Sequence, residues 1–294
     1  MANDPNRPQA IFLLILLALI WGTSFILIKK GLTVFSAPEV GAIRVMAASA
    51  FLLPFAFPAL GQLQKHHYAK LIFSGMMGIF IPAFLFAAAQ TRMESSITGI
   101  LNSLTPICTL IVGAWLFNQK FKTPSLLGII IGLAGTVLLT ISRSGGQIGG
   151  INLYALFIIV GCLCYGVNVN FLKFKLADLK ALTITSVALM FLGPLAAIFL
   201  FTATPFVQTM KTTPGAWEAL GYIGLLGMMS TSIATILFNN LIKISTPLFA
   251  SSSTYLIPVV AVIWGVLDGE TLVIGHFIGM AAIILGVYLA NRKK

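Results

Sequence analysis

In a chain of 294 residues, 58% are hydrophobic, 9% are charged and the mean hydropathy is +1.00. Soluble domains are about one-quarter charged, so this composition excludes an ordinary soluble protein and describes a polytopic membrane protein. The net charge of +11 is not a nucleic-acid footprint, because most Lys and Arg fall in alternate short loops, where such charge orients spans in a bilayer.

Spans of roughly 20 apolar residues are predicted at about 10–29, 38–59, 69–90, 96–117, 122–142, 152–172, 180–203, 216–241, 247–268 and 271–291. The first run follows a single Arg7 and ends without a small-residue cleavage site, so it is read as a retained span. With the amino terminus in the cytoplasm, twelve Lys and Arg lie inside and five outside, and Arg44 is left within the second span. That bias predicts cytoplasmic termini. The acids sit near the membrane surfaces, Asp4 and Asp178 inside and Glu39, Glu94, Glu218, Asp268 and Glu270 outside. Cys108, Cys162 and Cys164 fall in apolar runs, and the last two point different ways on a helix, so they are read as packing thiols rather than a disulfide or metal pair.

Taken in order, span one carries Trp21 and Ser24 around Gly22. Arg44 in span two either snorkels to external headgroups or pairs with a substrate carboxylate or a gate acid. Span four, ITGILNSLTPICTLIV (Ile97–Val112), sets Thr98, Asn102, Thr105 and Thr109 at i, i+4, i+7 and i+11, one polar stripe on an apolar rod. Pro106 has no N–H, so the Asn102 carbonyl is expected to point unsatisfied toward the same region. Hydroxyls on such stripes also bond between packed helices. An amide has four hydrogen-bonding valences that packing rarely fills, which makes Asn102 the stronger site candidate. The turn SRSGGQIGG (Ser142–Gly150) reads as a linker between residues 1–144 and 145–294.

Beyond the linker the first half returns. Tyr165 and Asn168 in span six align with Trp21 and Ser24 at an offset of 144. Leu237 and Phe238 align with Leu85 and Phe86 at 152, and Thr254 and Pro258 with Asn102 and Pro106. Tyr255 beside Thr254 joins the candidate site. Span eight adds a stripe of Thr231, Thr235 and Asn239, whose counterparts are Ile79, Ala83 and Ala87, so specificity is expected on this span. Gly128, Gly132 and Gly135, with Gly275, Gly279 and Gly286, form contact faces that either pack the bundle or join two copies as a homodimer. Glu270 at the start of the last span is read as a helix cap. Because five spans is an odd number, the second copy must enter the membrane inverted. The expected fold is an all-α polytopic membrane protein of ten transmembrane helices in two inverted five-helix repeats, an architecture of secondary transporters with a midplane site.

ALIWGTSFILIKKGL (Ala18–Leu32), followed by Arg44, resembles the opening of EamA-type members of the drug/metabolite transporter superfamily. Gly269-Glu270-Thr271-Leu272, followed by Gly279 and Gly286, resembles the turn and last helix that close each half in that family. The first copy departs from the pattern with Asn118-Gln119-Lys120. The resemblance implies cytoplasmic termini, a bacterial inner membrane or its equivalent, and movement of small metabolites such as amino acids, usually as export.

The expected function is a secondary transporter working by alternating access about a site walled by spans one, four, six, eight and nine, with Arg44, Pro106 and Pro258 as gating or kink residues. Amides, hydroxyls and aromatics without a buried carboxylate suit a neutral or zwitterionic solute better than a naked cation. The alternative is an exporter of amphiphilic drugs or nucleosides. An enzyme is not expected, since the spans carry no Ser/Lys, paired-Asp or His-rich constellation, and neither a cofactor nor a metal is implied. His276, near an outer end, is the one span residue suited to proton relay, so facilitated diffusion or weak coupling is expected.

Overall fold

The structure, a computed structural model, describes residues 7–61, 63–93, 95–120, 123–143, 153–267 and 273–290. Asp4, Glu94, Asp268, Glu270 and most of the glycine-rich linker lie outside the described residues.

Every predicted span is largely helical over its described residues. The elements are α1 (Arg7–Gly31), α2 (Ala37–Leu60), α3 (Lys65–Gln90), α4 (Ser95–Asn102), α5 (Thr105–Phe117), α6 (Thr123–Arg143), α7 (Ala155–Lys175), α8 (Ala181–Ala203), the short α9 (Phe206–Thr212), α10 (Ala216–Ile244), α11 (Pro247–Ser251), α12 (Ser253–Leu267) and α13 (Ile274–Ala290). No strand occurs among the described residues. Among the described residues six helices, α1, α2, α3, α7, α8 and α10, are long and apolar enough to cross a membrane, and shorter apolar helices accompany them. Large apolar side chains such as Phe12, Phe57, Ile130 and Ile198 are exposed, as a lipid-facing surface requires. The chain is a multi-pass membrane protein.

Four irregularities set the inner geometry. In α3 the turn Met76–Phe80 is π-helical, with Ile81 N–H bonding back five residues to Met76 O. In α10 the turn Gly227–Ile233 does the same, with Ala234 N–H reaching Met229 O. Such wide turns push one residue out of helical register and gather at functional sites. The third irregularity is the break between α4 and α5 at Ser103-Leu104, just ahead of Pro106, and the fourth is the break between α11 and α12 at Ser252.

Around these, α2 packs along α8 and α6 along α13. A Cβ on Gly286 would lie 2.5 Å from Gly132 N, and one on Gly135 2.8 Å from Gly279 O. The glycine faces therefore serve the α6–α13 contact within the chain. Two apolar clusters flank the middle, one holding Ile28, Val45, Leu192 and Ile223 and the other Leu17, Leu71, Leu172 and Ile242.

The C-terminal ends of α7 and α10 cap one another. Lys173 Nζ donates to the carbonyls of Ile242 (2.9 Å), Lys243 (3.1 Å) and Ser245 (2.7 Å), while Lys243 Nζ donates to those of Ala177 and Leu179. Each cation thus meets the negative end of the other's helix or the loop leaving it. His67 Nδ1 accepts from Gln64 N–H at 3.1 Å, so Nε2 carries the proton and donates to Asp178 at 2.8 Å. This ties the start of α3 to the same loop. The Asp178 carboxyl is pushed up by burial, but the hydrogen bond from His67, its own backbone N–H and the charge of Lys70 hold it below the ordinary carboxylate value.

Candidate functional site

Between the two clusters lies a cavity of about 80 Å³. A water needs roughly 10–15 Å³ of such space, so the cavity has room for several.

Its walls come from both halves of the chain. From the first come Trp21, Ser24, Phe25 and Ile28 on α1, Arg44 on α2, Gly78, Ile79 and Phe86 on α3, Asn102 on α4 and Thr105 on α5. From the second come Tyr165, Asn168 and Val169 on α7, Ser230, Thr231, Thr235, Phe238 and Asn239 on α10, and Thr254 and Ile257 on α12. The structure thus brings together Trp21, Ser24, Arg44, Asn102, Thr105, Tyr165, Asn168, Thr235, Asn239 and Thr254 from the sequence-derived set.

Thr98 and Tyr255 do not line the cavity. Thr98 is fully buried one turn before Asn102. The Tyr255 side chain points the other way from Thr254, donating its hydroxyl to Ile129 O at 3.1 Å with its ring against Gly132. Neither Pro106 nor Pro258 lines the cavity: Pro106 stands in the first turn of α5 and Pro258 inside α12. The carbonyl that Pro106 frees is not left open, correcting the expectation: Thr105 Oγ1 donates to Asn102 O at 2.7 Å. The Thr254 carbonyl accepts from Ser103 Oγ at 3.3 Å across the two broken spans. What Asn102 offers the cavity is its side chain, since its amide N–H₂ meets no acceptor among the described residues.

Arg44 turns inward rather than toward headgroups, its Nε donating to Thr231 Oγ1 at 2.6 Å. Two aromatic pairs border the cavity. Trp21 meets Phe238 edge-on with ring centroids 5.1 Å apart, and Tyr165 meets Phe86 at 5.8 Å. The four are mates in the offsets above, Trp21 with Tyr165 and Phe86 with Phe238. In the sequence Phe86 and Phe238 are marked only by their recurrence at the offset of 152. Gly78 and Ser230 were missed because nothing in composition marks a π turn. Gly22 and Gly166 lie behind the wall, a Cβ on Gly166 falling 2.8 Å from the Cys108 carbonyl carbon. His276 takes no part in the cavity, since its Nδ1 accepts from Val273 N–H at 3.0 Å at the start of α13. Cys162 Sγ donates weakly to Leu101 O at 3.5 Å, a packing role.

The profile of the EamA-like transporter family matches twice, at residues 8–141 and 152–292. The chain belongs to this family. It is 28% identical over 289 residues to the "Uncharacterized inner membrane transporter YedA" of Escherichia coli (strain K12), covering 95% of this chain and 89% of that one. An "Uncharacterized transporter" of Archaeoglobus fulgidus is 25% identical over 93% of this chain and 95% of its own. A "Probable amino-acid metabolite efflux pump" of Salmonella typhimurium is 28% identical over 140 residues, 46% of this chain and 44% of its own. A solved crystal structure matches with a TM-score of 0.70 at 18% identity, covering 96% of both chains, a likeness of fold. Family and relatives together support a membrane transporter.

Proposed function

We propose that the cavity is the substrate site of a secondary transporter that exports small metabolites, amino acids or similar zwitterionic solutes foremost, across the inner membrane. The reading takes the broken helices α4–α5 and α11–α12 as single spans, giving ten spans in two inverted repeats, residues 1–144 and 145–294, with both termini cytoplasmic. The two halves rock about the central cavity, and the breaks at Ser103-Leu104 and Ser252 supply the joints.

One observation carries this reading. Residues at aligned positions of the two halves meet at one cavity, Asn102 with Thr254, Ser24 with Asn168, and Trp21 with Tyr165. A bundle built only for stability has no need to line its middle with amides and hydroxyls, which cost free energy in lipid unless they meet a partner. The matching stretch of an amino-acid metabolite efflux pump supports the solute class. Counterflow in proteoliposomes preloaded with single solutes tests it, because exchange needs no ion gradient. An amino acid is expected to exchange, and a panel of amino acids, nucleosides and cationic dyes in which only dyes or nucleosides exchange would reject the solute class.

A further inference from the structure

We propose that Arg44 is the counter-ion for a carboxylate on the transported solute, and so the residue that decides which solutes the cavity accepts. The proposal rests on reading the cavity as the transport site and narrows it to carboxylate-bearing ligands.

The guanidinium has five N–H donors. Among the described residues it uses only Nε, bonded to Thr231 Oγ1. No acid among the described residues lines the cavity. The one ion pair among the described residues, His67–Asp178, belongs to the other end of α3. Glu39, on the same helix as Arg44, is held at the start of α2 by Ser36, whose N–H and Oγ donate to its Oε2 at 2.8 and 2.7 Å, and it does not reach the cavity. A cation in the interior of a bundle that carries no acid beside it is costly, and buried charges are retained where they pair with something. Here the partner must arrive with the ligand. The Nη donors form a fork that matches a carboxylate's two oxygens, which a lysine cannot reproduce.

The surroundings agree. Thr231 Oγ1 accepts from Arg44, so its own O–H remains to donate. Ser230 is 2% exposed, lines the cavity and has no partner for its Oγ among the described residues. Both hydroxyls stand on the π turn of α10, where they can donate to the same carboxylate. Trp21 Nε1 donates to Ser230 O at 3.2 Å and fixes that turn.

The test uses the full chain in detergent, with thermal unfolding as readout, and two matched sets of probes at millimolar concentration. One set has carboxylates, L-leucine and 4-methylpentanoate; the other lacks them, leucinamide and 3-methylbutylamine. Carboxylates are expected to stabilise the wild type and the others not. Arg44→Gln should weaken carboxylate binding about tenfold or more, with Arg44→Lys recovering part of it. Thr231→Val, which leaves the guanidinium in place but unheld, should weaken the same probes and serves if Arg44→Gln does not fold. Equal stabilisation by the two sets, no stabilisation by either carboxylate, or carboxylate binding unchanged in Arg44→Gln would overturn the proposal. Counterflow with the same carboxylates separates the two layers. Binding that depends on Arg44 without exchange rejects the transport reading and leaves the anchor, whereas exchange indifferent to Arg44 rejects the anchor alone.

Discussion

The π turns of α3 and α10 occupy matching places in the two halves and do different chemistry. At an offset of 152, Gly78 aligns with Ser230 and Ile79 with Thr231. Each turn is met by the first helix of the other half. On α3, Gly78 leaves room for Asn168, whose Oδ1 accepts from Ser74 Oγ at 2.7 Å. On α10, Trp21 bonds to Ser230 O and Arg44 to Thr231. The backbone device is shared, but one copy is trimmed to admit a neighbour's amide while the other keeps hydroxyls for the cavity. The scaffold is near-symmetric, and the polarity is not.

Copying the second turn into the first breaks the comparison most severely. A Cβ on Gly78 would stand 2.1 Å from Asn168 Nδ2. Gly78→Ser is expected to cost about 1–3 kcal/mol by overpacking, seen as a lower melting temperature, and to cut exchange more than tenfold. The reverse swap, Ser230→Gly, removes an unpartnered hydroxyl and should melt close to wild type. A melting temperature for Gly78→Ser no lower than that of Ser230→Gly would show that the turns are interchangeable.

Next in size is Trp21→Phe. It keeps the ring against Phe238 but removes the donor to Ser230 O, a loss of about 0.5–1.5 kcal/mol. Tyr165→Phe, at the mirrored position, has no such bond to lose and should be milder. The smallest effect lies outside the cavity. Because the Asp178 carboxyl is held below its ordinary value, its tie to His67 is fully present above about pH 4 and is lost as pH falls through the lowered value. Since the Asp178 side chain is 59% exposed, the expected acid loss is slight, and Asp178→Asn should flatten it when melting is followed from neutral pH downward.

The helices were legible because lipid demands continuous apolar runs, and Asn102, Thr254, Trp21 and Tyr165 were legible because they recur at fixed offsets. What was hidden had physical reasons. A π turn changes hydrogen-bond register without changing composition, so Gly78 and Ser230 gave no sign. Arg44 is long enough to reach either headgroups or the interior, and only the position of Thr231 settles its direction. The proline-freed carbonyls were deducible, but not that Thr105 and Ser103 would cap them, since the Ser103 bond crosses 151 residues of chain. Thr98 sits on the same stripe one turn before Asn102, yet it is fully buried and does not line the cavity.

That last contrast gives the most direct measurement. Asn102→Ala and Thr98→Ala change neighbouring turns of one helix, and only the first side chain lines the cavity. In counterflow with equal amounts of folded protein, Asn102→Ala should lose most of the exchange and Thr98→Ala should keep it. Equal loss in both, or full exchange by Asn102→Ala, would contradict the assignment of this cavity as the transport site.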